Sequence, residues 1–385
     1  MNPTAETVPK NRFMKSVGGF NRIVAIVVCV LFVIVGVVVM RSRAATPSIA
    51  VEPEQASLDS DTRLLADTSA SSGGAIQFRP GPTRGSYVIY SSAQNNATAQ
   101  IWRMKLDGSE NRQLTNDPEH EYQWARPSPD GNSILYTRAN KGESVNLSAG
   151  SNTLWVMNAD GTNPREIISI DKRNSYGWTG LAHAEWSPDS KRIVLAAPMT
   201  TFTTQLFIVD SAGNNPKQIT DRTVVDGQQT NALDPSWGPN DTIMFVRSWN
   251  CLFICGSQDV FRLDLATKQE QRITSDKGVN WDPYLSPDGS TYVWLYFRDN
   301  PATCPCDLYA GNSVGDLNPR PVIADGGANA NGTFSTDSKS LLFLKQVYEN
   351  NTMKQKIHSI NVDGTGLKPV GITAVGETGI ASFWP

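Results

Sequence analysis

One phrase recurs down this chain of 385 residues. It reads RPGPTRG around Pro82, RPSPDG around Pro129, WSPDS around Pro188, WGPND around Pro239 and LSPDG around Pro287. FSTDS puts Thr336 in the proline slot, and FWP brings the phrase back at Pro385. The steps are 47, 59, 51, 48, 49 and 49 residues. A near-constant period in this range is the signature of a repeat architecture, in which each unit buries its apolar face only against its neighbours. Six full repeats followed by a fragment of a seventh predict a chain that closes on itself.

A second phrase keeps step with the first. Examples are IWRMKLDG from Ile101, LWVMNADG from Leu154, LFIVDSAG from Leu206 and INVDG from Ile360. Each is a short, partly alternating apolar run ending in a tight turn, where Asp bonds its own backbone and Gly accepts positive φ. A third apolar run lies between the two phrases: YVIY at 87–90, SILY at 133–136, RIVLAA at 192–197, TIMFV at 242–246, TYVWLYF at 291–297 and SLLFL at 340–344. Adding the strand that leads into each proline and the one after each DG turn gives four short strands per repeat. Four antiparallel strands in about 50 residues make one propeller blade. The expectation is all-β: a six-bladed β-propeller with four-stranded antiparallel blades.

Trp186-Ser187-Pro188-Asp189 and Met157-Asn158-Ala159-Asp160-Gly161 resemble the repeat of the TolB-type, WD-like β-propeller family. The resemblance covers roughly residues 75–385. It departs from the family phrase at Thr83-Arg84-Gly85 and at Thr336, and what precedes it is not the family's separate α/β domain. The resemblance implies a bacterial envelope protein that engages another protein through its propeller. The closing strand is expected at 379–385, pairing into the first blade, with 75–80 as the competitor for that slot.

Residues 23–40 form an uninterrupted apolar run, preceded by Lys10, Arg12, Lys15 and Arg22 and followed by Arg41 and Arg43. Eighteen residues at 1.5 Å each span about 27 Å, near the thickness of a bilayer core. The basic excess before the run orients the tail inward. The reading is a cytoplasmic tail at 1–22, a transmembrane signal-anchor at 23–40, a flexible extracytoplasmic linker at 41–74 and the propeller at 75–385. A cleaved signal peptide, cut near Ser42-Arg43-Ala44, is the alternative. The linker is rich in Ala, Ser, Thr and acidic residues, and its ends faintly resemble strands of carbohydrate-binding sandwich modules. A net charge of −3 without long runs of one sign gives no footprint for nucleic acid.

Cys29 lies in the apolar run, which leaves Cys251, Cys255, Cys304 and Cys306. An even number in an exported domain points to two disulfides, with connectivity open. A four-thiolate zinc site is the alternative.

Propeller geometry puts the proline turns and DG turns on one face. All the long insertions fall on the other, and variable loops on a rigid scaffold read as the working face. One inner-strand register, four residues before the serine slot, contains Trp124, His183, Asp234, Asp282 and Asn331. These are expected to ring the channel mouth on the loop face, where polar groups can hold a peptide, a sugar or a cation. The plainer reading is that they bond neighbouring backbone and set blade spacing. Tyr176, Trp178, Phe202, Trp249 and Phe253 are the loop-face aromatics, candidates for stacking on a sugar or anchoring a protein.

No nucleophile elbow, zinc-protease helix or phosphate loop is present in the sequence. The expectation is therefore a non-catalytic, membrane-anchored module that binds an envelope protein or a surface glycan. It needs no cofactor, although a structural cation fits the polar ring. The competing reading is a glycan hydrolase or lyase using Asp234 and Asp282 as its acids.

Overall fold

The computed structural model describes residues 62–66, 74–78, 87–93, 98–143, 151–200, 203–249, 257–276, 278–297, 306–313, 318–349, 352–371 and 378–383. The chain divides into two units, Met1–Pro80 and Gly81–Pro385. In the first, Thr62–Ala66 pairs antiparallel with Gly74–Phe78. Thr62–Ala66 falls within the stretch that composition marks as a spacer, so part of that stretch is a strand. The apolar run at 23–40 lies outside the described residues. Among the described residues, no helix is long and apolar enough to cross a membrane.

The second unit is an all-β propeller of antiparallel sheets. The first sheet runs Thr378–Phe383, Tyr87–Ser92, Gln100–Lys105, Arg112–Gln113. The second is His120–Pro127, Ser133–Asn140, Thr153–Asn158, Arg165–Ile168, and the third is Ala182–Trp186, Arg192–Thr200, Thr203–Asp210, Lys217–Gln218. A large sheet of nine strands follows. Its first half is built on Gln228–Gly238, Thr242–Trp249, Gln258–Asp264 and Glu270–Arg272. Its second half is built on Val279–Leu285, Thr291–Phe297, Cys306–Asn312 and Arg320–Ile323. One parallel pair, Gln258 with Val279, joins the halves. The last sheet is Asn329–Phe334, Ser340–Glu349, Thr352–Asn361, Lys368–Pro369.

The proline phrase recurs because each of its polar atoms has a task. Ser128 Oγ donates to Asp130 Oδ1 at 2.5 Å and accepts from Ser133 N at 2.9 Å, while Asn132 N reaches the same carboxylate at 3.0 Å. Ser187–Asp189, Ser286–Asp288 and Ser335–Asp337 repeat the serine-to-aspartate bond at 2.5, 2.6 and 2.6 Å. Ser190 and Ser338 stand in the left-handed slot that Gly131 and Gly289 fill elsewhere. Their hydroxyls accept the N–H of Asp130 and Asp288 from the preceding sheet, both at 3.1 Å.

Gly213 shows why the second phrase needs glycine. Its φ is +74°, and an added Cβ would lie 2.4 Å from the Ile167 carbonyl oxygen of the second sheet. The hairpin thus lies directly over the neighbour's outer strand, which protects an otherwise open edge.

Apolar side chains fill the spaces between successive sheets. Ile89 and Ile101 pack with Ile134 and Tyr136; Leu135 and Val156 pack with Ile193 and Leu195. Val194, Phe245, Val293 and Phe343 continue the core through the large sheet to the last one. Leu342 and Leu344 then pack on Val88 and Tyr90, so the series returns to its start. Each fully buried side chain of this size contributes about 1.5–3 kcal/mol. The C-terminal strand takes the closing slot: Ser382 pairs with Ile89 and Phe383 with Val88. Gly74–Phe78, the competitor, is paired instead with Thr62–Ala66.

Candidate functional site

The inner strands carry the site, and each contains a β-bulge. The bulges lie between Gln123 and Arg126, Ala182 and Ala184, Leu233 and Ser236, Trp281 and Tyr284, and Ala330 and Thr333. The residues singled out by register occupy these bulges. Trp124, His183, Asp234 and Asp282 have φ of 58°, 42°, 51° and 48°. Left-handed backbone at a non-glycine residue costs of order 1–3 kcal/mol and persists only where its surroundings impose it. The bulge turns each side chain inward, away from the ladder. Asn331 falls in the corresponding bulge; its side chain is outside the described residues.

Three of the five converge. The ligand atoms of His183, Asp234 and Asp282 lie within 4.8 Å of one another. His183 Nδ1 contacts Asp234 Oδ1, and the other oxygen of Asp234 accepts the Asp282 N–H at 2.7 Å. Asp234 and Asp282 are buried, 6% and 4% exposed. The Trp124 ring covers His183 at 3.9 Å between centroids, and Trp281 presents its edge at 6.0 Å. One imidazole and two carboxylates form a mixed nitrogen and oxygen donor set suited to a divalent ion. The hydrogen bonds to neighbouring backbone also fulfil the spacing role.

A second register, two residues nearer the proline phrase, was not singled out from the sequence. Arg126, Glu185, Ser236, Tyr284 and Thr333 line a cavity of about 330 Å³ together with Pro129, Pro188, Pro239, Pro287 and Thr336. Arg126 Nε donates to Glu185 Oε2 at 2.8 Å, and its Nη2 donates to the Tyr284 hydroxyl at 2.6 Å. Burial pushes the Glu185 carboxyl up, and the Arg126 guanidinium opposes it. Burial also holds the Tyr284 phenol well above its ordinary range. Period-two counting from Asp234 or Asp282 reaches this register, but its residue types share no common chemistry.

The cavity lies at the proline-turn end, a face whose uniform turns read as scaffold in the sequence. Trp178 is 1% exposed rather than free to stack on a ligand. A short helix, Ile170–Ser175, tucks it under Tyr176 and against Phe207, with centroids at 5.0 and 4.8 Å. Tyr176 is half-buried and bonds the Gly213 carbonyl at 3.2 Å. Trp249 is half-buried, its Nε1 donating to Val225 O at 3.1 Å with the Arg272 guanidinium 5.2 Å over its ring. Phe202 and Phe253 lie outside the described residues.

Cys306 is disulfide-bonded, which removes it from a four-thiolate zinc site. Cys251, Cys255 and Cys304 lie outside the described residues. Asp234 and Asp282, the pair weighed for glycan cleavage, sit side by side, and both oxygens of Asp234 are engaged.

No protein-family model matches the chain. A TolB homologue from Chlorobium chlorochromatii (strain CaD3) is 25% identical over 154 residues, covering 39% of this chain and 32% of that protein. The chain thus spans about a third of that relative's length. Among solved structures, TolB from Acinetobacter baumannii aligns with a TM-score of 0.58 at 16% identity, over 78% of this chain and 67% of that one. A chain of a nidogen–laminin complex aligns with a TM-score of 0.56 at 9% identity, over 78% of this chain and 98% of that one. At such identities the structural likeness establishes the fold, a β-propeller. The sequence match adds a likeness to a TolB homologue over part of the chain.

Proposed function

We propose that this chain is a non-catalytic recognition module of a bacterial cell envelope: a six-bladed propeller held outside the membrane by residues 23–40. The nine-stranded sheet counts as two blades in this reading, because a single parallel pair joins its halves. The observation that carries the function is the cavity at the proline-turn end. Its volume of about 330 Å³ is at the lower end of the range for ligand sites. Prolines with Trp186 and Trp237 supply apolar walls, and Arg126, Glu185 and Tyr284 supply a few converging polar groups. That composition suits a segment of an envelope protein or a surface glycan presenting one polar group between apolar faces. The position of Cys306 in a disulfide agrees with an oxidising, extracytoplasmic location.

Glycan cleavage by Asp234 and Asp282 is the weaker reading. Both oxygens of Asp234 are already engaged, one by the Asp282 N–H and one by the His183 ring, so neither is open to a glycosidic oxygen.

The test is capture from envelope extract by the full-length protein in mild detergent, beside Thr336→Trp. Thr336 is exposed at the cavity rim, so the indole blocks the cavity without touching the core. A protein or glycan retained by the parent and lost from the variant supports the reading; equal retention by both contradicts it.

A further inference from the structure

We propose that His183, Asp234 and Asp282 bind one divalent transition-metal ion inside the channel, bridging the third sheet and both halves of the large sheet. This site is separate from the cavity, lying two residues further along the inner strands, so either assignment can fail alone.

Three observations converge on it. The first is the donor set: one imidazole nitrogen and two carboxylates within 4.8 Å of one another. Ligands about 2.1 Å from a shared ion sit roughly 3–4 Å apart, so side-chain rotation alone closes the set. Imidazole suits zinc-like ions, while the two carboxylates also suit manganese.

The second observation is charge. Asp234 and Asp282 are buried, and the side chain of Glu185 is only 18% exposed. Arg126 is the guanidinium coupled to this group, and it is bonded to Glu185. Arg126 pairs with Glu185 and the His183 ring meets Asp234, so carboxylates dominate the ionisable groups gathered here. Buried charge of this kind is paired, protonated or metal-bound.

The third is orientation. Trp124 and Trp281 box the His183 ring, and the Asp282 N–H holds one Asp234 oxygen. Such outer contacts fix the angle at which a ligand atom meets its ion. The contact between His183 Nδ1 and Asp234 Oδ1 shows that these two ligand atoms already face one another.

The experiment is titration of the full-length, chelator-stripped protein with Zn2+ and with Mn2+, each against His183→Gln and Asp282→Asn. The parent is expected to bind one ion per chain and to melt at a higher temperature when loaded. Each variant is expected to bind at least about ten-fold more weakly. If the stripped variants do not fold, Co2+ added to the parent decides, since a ligand-field band reporting nitrogen and oxygen ligation appears only if the site forms. No uptake by the parent at about 1 mM ion, the weak-binding limit, overturns the proposal. Uptake that persists undiminished in both variants, or a parent without that band, overturns it equally.

Discussion

Asp234 crosses from one half of the large sheet to the other, where its Oδ2 accepts the Asp282 backbone N–H at 2.7 Å. Its second oxygen meets His183 of the third sheet. One carboxylate therefore ties three inner strands, each bulged at the same register. Asp234→Ala is expected to cost about 2–4 kcal/mol, because it leaves a buried N–H and an imidazole without their acceptor. Asp234→Asn is expected to cost less, since an amide oxygen still accepts from Asp282. Chemical denaturation of the two variants checks the order; equal stability of parent and alanine variant refutes it.

Gly213→Ala is expected to destabilise the chain by about 1–3 kcal/mol, through positive φ and through the clash with the Ile167 carbonyl. Gly177→Ala, also at positive φ but with open space around the position, keeps only the conformational share. The difference between their melting temperatures isolates the close approach between sheets.

Removing 378–385 is expected to lower the melting temperature by more than about 10 °C, since the first sheet loses its inner strand and an edge is exposed. A truncated chain that melts like the parent would show that the pairing to Tyr87–Ser92 contributes nothing.

His358 sets a pH dependence. Burial lowers its pKa below 6.5, aided by Lys345 and Lys356 and opposed by its bond to Lys356 O and by Asp325. The unfolded chain therefore takes up the proton first. Stability is full above pH 6.5 and falls as pH drops from there toward the folded pKa. Subtracting the melting profile of His358→Gln from that of the parent should isolate this loss. The turn carboxylates act lower down. Ser187, Ser286 and Ser335 hold Asp189, Asp288 and Asp337 below the usual range, so their contribution is present above about pH 4 and is lost in acid.

The propeller was legible because its recurring residues are those whose chemistry admits few substitutes. Serine, aspartate and glycine in the turns each fill a fixed hydrogen-bonding or conformational slot, so they mark the period. The inward register was legible for the same reason: counting from the serine slot lands on Trp124, His183, Asp234 and Asp282. The cavity register was not, because Arg126, Glu185, Ser236, Tyr284 and Thr333 meet a shared space with unlike groups. Trp178 was misplaced because the helix that buries it, Ile170–Ser175, is too short to leave an amphipathic period. The working face was assigned by loop length. Loop length does not reveal the cavity, because the uniform proline turns themselves supply its wall.

The propeller is proposed to recognise its partner at the proline-turn end. A photo-cross-linking residue at 336, on the cavity rim, tests it against the same residue at 224, on the exposed Val224–Val225 hairpin at the start of an inner strand. An envelope adduct is expected from position 336 and none from 224. The same adduct from 224 alone would place recognition on the loop face and contradict it.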